Sequence, residues 1–103
     1  TRYIEGSSIL EPEAFTSLVQ AYTRAKAKNL AECTLIRIQT VGDLKESGAA
    51  VARRLRNSDY LGIYADGGLY ILLTNTTADE AEIVQKRLLE NGFKNEIVEN
   101  VAA

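Results

Sequence analysis

The stretch from Tyr60 to Leu73, YLGIYADGGLYILL, leaves this chain little freedom. Two apolar runs, Tyr60 to Tyr64 and Leu69 to Leu73, flank the four residues Ala65-Asp66-Gly67-Gly68. Such runs, rich in aromatic and branched side chains, read as strands, and glycine supplies the positive φ of the tight turn between them. The rest of the chain has to be built around that hairpin.

Upstream, Thr1 to Leu10 is mixed and reads as an extended lead-in. Glu11-Pro12-Glu13 starts a helix: proline is tolerated in the first turn, and acids face the positive end of the dipole. Phe15, Leu18, Val19, Tyr22 and Ala25 keep helical spacing, so the helix is predicted over Pro12 to Lys28. Thr34 to Val41 is rich in β-branched residues and is predicted as a strand. Thr34, Ile36 and Ile38 would face the core, and Leu35, Arg37 and Gln39 the other side. After Gly42-Asp43, Leu44 to Arg56 is predicted as a second helix with Val51, Ala52 and Leu55 inward. Gly48 weakens its first turn. Arg53 and Arg54 fall where cations complement a helix C-terminus.

Downstream of the hairpin, Thr77-Ala78-Asp79-Glu80 has the capping-box pattern. A third helix follows to Glu90, with Ala81, Ile83, Val84 and Leu88 as its apolar stripe. Asn91-Gly92 stops it. Phe93 to Val98 is a last strand with Lys94 and Glu96 outward, and Asn100 to Ala103 is a tail. The fold class is α+β, an α/β sandwich. The last six elements run βαββαβ, the ferredoxin-like arrangement, with an additional N-terminal helix and helices mostly on one face of the sheet.

At 103 residues, 46% hydrophobic and 25% charged, the chain reads as a single domain over 1–103. A net charge of −2 disfavours DNA or RNA binding through a basic surface. No apolar run approaches the roughly 18 residues of a membrane span. Histidine is absent and there is one cysteine, Cys33, so a zinc site is not expected and neither is the commonest general base. Cys33 beside a strand reads as a small buried side chain, in keeping with a reducing, cytoplasmic setting. The absence of methionine leads us to expect a segment of a longer protein.

Three charged residues stand out. Arg56 and Asp59 frame Arg56-Asn57-Ser58-Asp59 just before the hairpin, and Arg87 lies in the third helix. Guanine presents O6 and N7 as paired acceptors, which suit the fork of an arginine. Its N1–H and N2–H groups are donors that a carboxylate accepts as a pair. A phosphate takes the second arginine. Arg56, Asp59 and Arg87 thus have the chemistry of a guanine-nucleotide site. A solvated Arg–Asp pair is the simpler alternative. Asp66, beside two glycines, reads as a turn former; Tyr60 and Tyr64 read as packing against a helix, with base stacking as the other option. Arg2 and Arg37 are within conceivable reach of a ligand, with no motif behind them.

The stretch Arg56 to Leu73 resembles the heart of a GGDEF domain, the diguanylate cyclase family: RxxD, a short strand, the hairpin turn and an apolar strand, without a gap. Asn75-Thr76, Ala81, Val84 and Arg87-Leu88 resemble the helix that follows in that family. The resemblance covers Ala49 to Gly92 well and is only suggestive before that. Its departures matter. Gly67 and Gly68 stand where the family has its acidic pair, and Ala65 and Asp66 where it has glycines beside the phosphates. The matching first strand, Ile36-Arg37-Ile38-Gln39, has no metal-binding acid. Two-metal phosphoryl transfer needs those carboxylates, so no cyclase activity, metal or cofactor is expected.

What the resemblance retains is the family's inhibitory product site, on which Arg56, Asp59 and Arg87 fall. It implies a degenerate GGDEF domain that binds cyclic di-GMP, in the family often as a stacked pair, similar to PelD-type receptors that regulate exopolysaccharide production. A homodimer, or an adjacent GAF sensor domain in a membrane-anchored protein, is part of the same implication. The alternative is a ligand-independent dimerisation or docking module derived from a cyclase.

Overall fold

The computed structural model describes residues 2–39 and 42–99. The tail Asn100 to Ala103, and the Thr40-Val41 end of the predicted first strand, lie outside the described residues. The elements run β1 (Ile9–Leu10), α1 (Pro12–Ala27), β2 (Cys33–Ile38), α2 (Leu44–Ala52), β3 (Tyr60–Ile63), β4 (Leu69–Thr74), α3 (Ala78–Glu90) and β5 (Asn95–Val98). The fold is mixed α+β, and the element order β-α-β-β-α-β read from the sequence is present from β2 onward.

The hairpin forms as expected, with Tyr60 opposite Leu72 and Ile63 opposite Leu69. Gly67 takes a φ of +81° in the turn. The amide of Tyr64 donates to the Gly68 carbonyl, and that of Gly67 to the Tyr64 carbonyl. β4 is central, paired antiparallel with β3 on one side and β2 on the other. β2 in turn pairs antiparallel with β5. The five-stranded order is β1-β3-β4-β2-β5.

Because successive side chains on a strand point to opposite faces, β4 supplies two cores. Leu69, Ile71 and Leu73 meet Val51 of α2 and Ala81 and Leu88 of α3 on one face. Tyr70 and Leu72 meet Ala14, Phe15 and Val19 of α1 on the other. Two helices therefore share one face and α1 alone covers the opposite one. β2 is correspondingly buried on both faces: Leu35, expected to face outward, is 4% exposed against α1. The one-sided pattern fails because a central strand in a three-layer fold has no solvent side.

Three further expectations are corrected. Residues before Leu10 are not simply extended. They double back through Gly6, with Ile4 donating to Ile9 and Tyr3 bridging Leu10, and Ile9–Leu10 adds to the sheet parallel to β3. α2 stops at Ala52, so Arg56 lies in a loop rather than at a helix end; residues 53–55 form tightening turns. Ile83 is 64% exposed and leaves the apolar stripe of α3 to Ala81, Val84 and Leu88. The capping box on α3 is present, with Thr77 Oγ1 accepting from Glu80 and the Glu80 carboxylate from Thr77. The Thr77 amide, donating to that carboxylate, holds the Glu80 carboxyl below its ordinary range.

Glycines mark the closest approaches. A Cβ at Gly48 would overlap the Ile9 side chain, which explains a poor helix former within α2. A Cβ at Gly62 would overlap the buried Phe15 ring, fixing how closely α1 lies on β3. Gly62→Ala should therefore destabilise the fold by about 1–3 kcal/mol, the usual range for overpacking. Urea denaturation checks this. A wild-type midpoint in the variant would show that α1 can shift without loss.

Candidate functional site

Arg56 and Asp59 are brought together as a closed pair. The Arg56–Asp59 turn is hydrogen-bonded in the backbone, Asp59 N–H to Arg56 carbonyl, at 3.0 Å. Oδ2 of Asp59 accepts from the Arg56 amide at 2.9 Å and from its Nε at 3.1 Å, and Oδ1 accepts from Nη2 at 2.8 Å. The amide of Thr74 reaches Oδ1 at 3.3 Å. The Asp59 side chain is 2% exposed while that of Arg56 is 56% exposed. A carboxylate this deep needs several donors to be tolerated, and it has four.

The pair also fastens the loop to the far end of β4. Nη2 of Arg56 donates to the Thr74 carbonyl and to Thr76 Oγ1, both at 2.8 Å. Thr74 Oγ1 donates to the Ser58 carbonyl, and Thr34 Oγ1 on β2 donates to the Thr76 carbonyl. Nη1 of Arg56 takes no part in these bonds. The Asp59 hydrogen bond raises the Arg56 guanidinium further above its already high value, so its charge is permanent.

Arg87 is placed apart from this pair. It is exposed on α3, on the helix face that carries Glu80 and Asn91. Glu80 is close enough to Arg56 to feel its charge. Seven residues of helix separate Glu80 from Arg87, a rise of about 10 Å. The other end of that face is tied to the α2 terminus. Arg54 Nη1 donates to the Ala50 carbonyl at 2.9 Å and Nη2 to Asn91 Oδ1 at 2.6 Å, while Asn91 Nδ2 donates to the Arg87 carbonyl at 2.8 Å. Arg54 thus satisfies a helix-end carbonyl as its position suggested, and α2 and α3 lie on one face of the sheet.

The hairpin turn carries a second cluster. Asp66 Oδ1 accepts from the Gly68 amide at 2.9 Å, and Oδ2 accepts from the Tyr70 hydroxyl at 2.6 Å with Arg37 Nε at 3.5 Å. Arg37 lies 5.9 Å from the Tyr70 ring centre. Asp66 is the turn former the sequence suggested, with its second oxygen engaged by Tyr70. Tyr64 packs against Phe15 edge-on at 6.1 Å and against Tyr70 at 5.2 Å, a packing role rather than a stacking platform. Among the described residues, no group of three His, Cys, Asp or Glu is arranged to hold a metal ion. Cys33 is buried, and burial pushes its thiol up, away from reactivity.

Thr74 and Thr76 were missed from sequence, although two threonines closing an apolar strand are a signal that hydroxyls are wanted there. Tyr3, Ser7 and Ser8 were missed as well; they line a cavity beside Arg56. No protein-family model and no curated protein matches the chain.

Two outcomes follow. Asp59→Ala should lower stability by about 2–3 kcal/mol, since it removes a charged acceptor from four donors; urea denaturation measures this, and a loss below about 0.5 kcal/mol would contradict the clamp. The Tyr70 hydrogen bond is the first cause holding Asp66 below its ordinary value. Its contribution is therefore present above roughly pH 4 and is lost as pH falls through the lowered value. Melting temperature should fall more steeply as pH drops below about 4 in wild type than in Asp66→Asn.

Proposed function

We propose that the chain is a non-catalytic receptor domain for cyclic di-GMP, a degenerate GGDEF-like domain acting in the cytoplasm on exopolysaccharide production. The observation that carries this reading is the Arg56 guanidinium. Asp59, Thr74 and Thr76 fix its Nε and Nη2, yet the side chain stays 56% exposed with Nη1 outside those bonds. A cation held rigid before the ligand arrives loses little entropy on binding. It is suited to a phosphate or to guanine O6 and N7.

The gap-free run from RxxD through the hairpin supports the family reading, as does the β-α-β-β-α-β order that sets α2 and α3 on one face. Arg87 supplies a second cation from α3, far enough from Arg56 to suit an extended ligand rather than a single phosphate. Asp59 orients Arg56 and, as a carboxylate with more than one lone pair on each oxygen, accepts guanine N1–H and N2–H beside the guanidinium. The turn offers Asp66 to Tyr70 and Gly68 in place of an acidic pair, so we infer no cyclase chemistry.

A second reading has its own support. Asp59 is fully engaged within the fold, as it would be in a ligand-independent docking or dimerisation module. Calorimetric titration with cyclic di-GMP separates the two. Arg87→Ala is the clean variant: an exposed side chain whose loss should leave stability within about 0.5 kcal/mol but weaken binding roughly tenfold or more, about 1.4 kcal/mol. Arg56→Ala should do at least as much. Absence of binding by the wild-type protein at high ligand, with self-association unchanged in Arg56→Ala, favours the module. Any cyclic product from GTP and Mg²⁺ refutes both.

A further inference from the structure

Beside Arg56 the surface opens into a cavity of about 370 Å³, at the low end of the range for small-molecule sites, roughly 300–1,000 Å³. It lies at the sheet edge beside the end of α2, whose Ala52 and the following Leu55 line it. The doubled-back N-terminal segment gives Tyr3 and Ser8, the RxxD loop gives Arg56 and Asn57, and β3 gives Tyr60.

The two tyrosines are related by the sheet. Tyr3 bridges Leu10, Leu10 lies alongside Gly62, and Gly62 is two residues from Tyr60. Residues opposite each other on neighbouring strands, or two apart on one strand, share a face. Tyr3, Leu10 and Tyr60 therefore lie on one face. Strand spacing and rise separate the Tyr3 and Tyr60 Cα atoms by about 12 Å, which leaves room for one flat ring between the side chains. Tyr3 is 50% exposed, although folding has fixed its backbone against Leu10. An aromatic side chain on a fixed stretch of backbone, with half its surface in water, is a ready stacking platform.

We propose that this cleft is a nucleobase subsite. A purine stands between Tyr3 and Tyr60, its polar edge facing Ser8 and Asn57, and the phosphate attached to it meets Nη1 of Arg56. The inference rests on the receptor reading above and deepens it by assigning aromatic walls to a base in a cleft that Arg56 and Asp59 also line. A hydroxyl and a carboxamide can each donate and accept, so the edge suits a base that carries both kinds of group. The volume accommodates one base with its sugar, not a whole cyclic dinucleotide. Arg56 lines the cleft and its charge also reaches Glu80 at the start of α3. The ligand therefore straddles this arginine, one base within the cleft and the remainder outside.

The test is a titration of the protein with cyclic di-GMP, followed by calorimetry and by tyrosine emission, which no tryptophan obscures. Wild type should bind with quenching of tyrosine emission. Tyr3→Leu should weaken binding roughly tenfold or more and reduce the quenching, as expected for loss of base stacking, whereas Tyr3→Phe should bind as wild type. Tyr60→Leu, checked for intact secondary structure by circular dichroism, should behave as Tyr3→Leu does. Tyr3→Leu and Tyr60→Leu that bind like wild type, while Arg56→Ala is weakened, would overturn the subsite and leave the receptor reading standing. A wild-type protein that binds no cyclic di-GMP overturns both.

Discussion

The fold hangs on the neutralisation of one buried carboxylate. Asp59 enters the protein at the start of β3, where almost none of its side chain meets water, and an unpartnered charge there would cost more than the domain can spare. Its four donors come from the loop and from Thr74 at the end of β4. Satisfying it therefore fixes three things together: the turn that ends the α2 region, the entry to β3, and the exit from β4 toward α3. The threonines extend the same network to β2. What looks on paper like a local charged motif is the knot tying the loop after α2 to the far end of β4.

This knot gives Arg56 two faces. One is structural and already satisfied. The other stays in water and is rigid because of the first. Binding sites gain from such rigidity, because the ordering cost of a long side chain is met on folding rather than on association. The arrangement also means that Arg56 and Asp59 cannot be read as equal partners of a ligand: the cation is presented, the carboxylate presents it. Arg87 has neither constraint, being exposed on a helix whose position is set by Ala81 and Leu88 beneath it and by the Arg54–Asn91 bond at its end.

Much of this was legible in the residues. The hairpin, the capped third helix and the first helix all carry local signals that agree with their tertiary surroundings, which is what makes a pattern readable. Leu35 and β1 failed for a different reason. Alternation along a strand reports a solvent side only where there is one, and α1 removes it from β2. A two-residue strand has no period at all; Ile9–Leu10 exists because β3 offers it an edge. Gly48 and Gly62 were visible as residues but not as reasons, since what they make room for, Ile9 and Phe15, lies far away in sequence. At the site, the pairing of Arg56 with Asp59 was readable from their spacing. The direction of the carboxylate was not, because it depends on Thr74.

The sheet's two margins are finished in contrasting ways. At one, the folded-back N-terminal residues lie against β1, so the backbone there already has a neighbour. At the other, β5 is only four residues long, with Glu96 exposed on it and Lys94 just before it. Brevity and charge are how proteins discourage strand addition at an open edge. Growth of the sheet from molecule to molecule is thus opposed at both ends. Any assembly this domain joins is steered toward its helical faces and loops, the same surfaces that display Arg56 and Arg87.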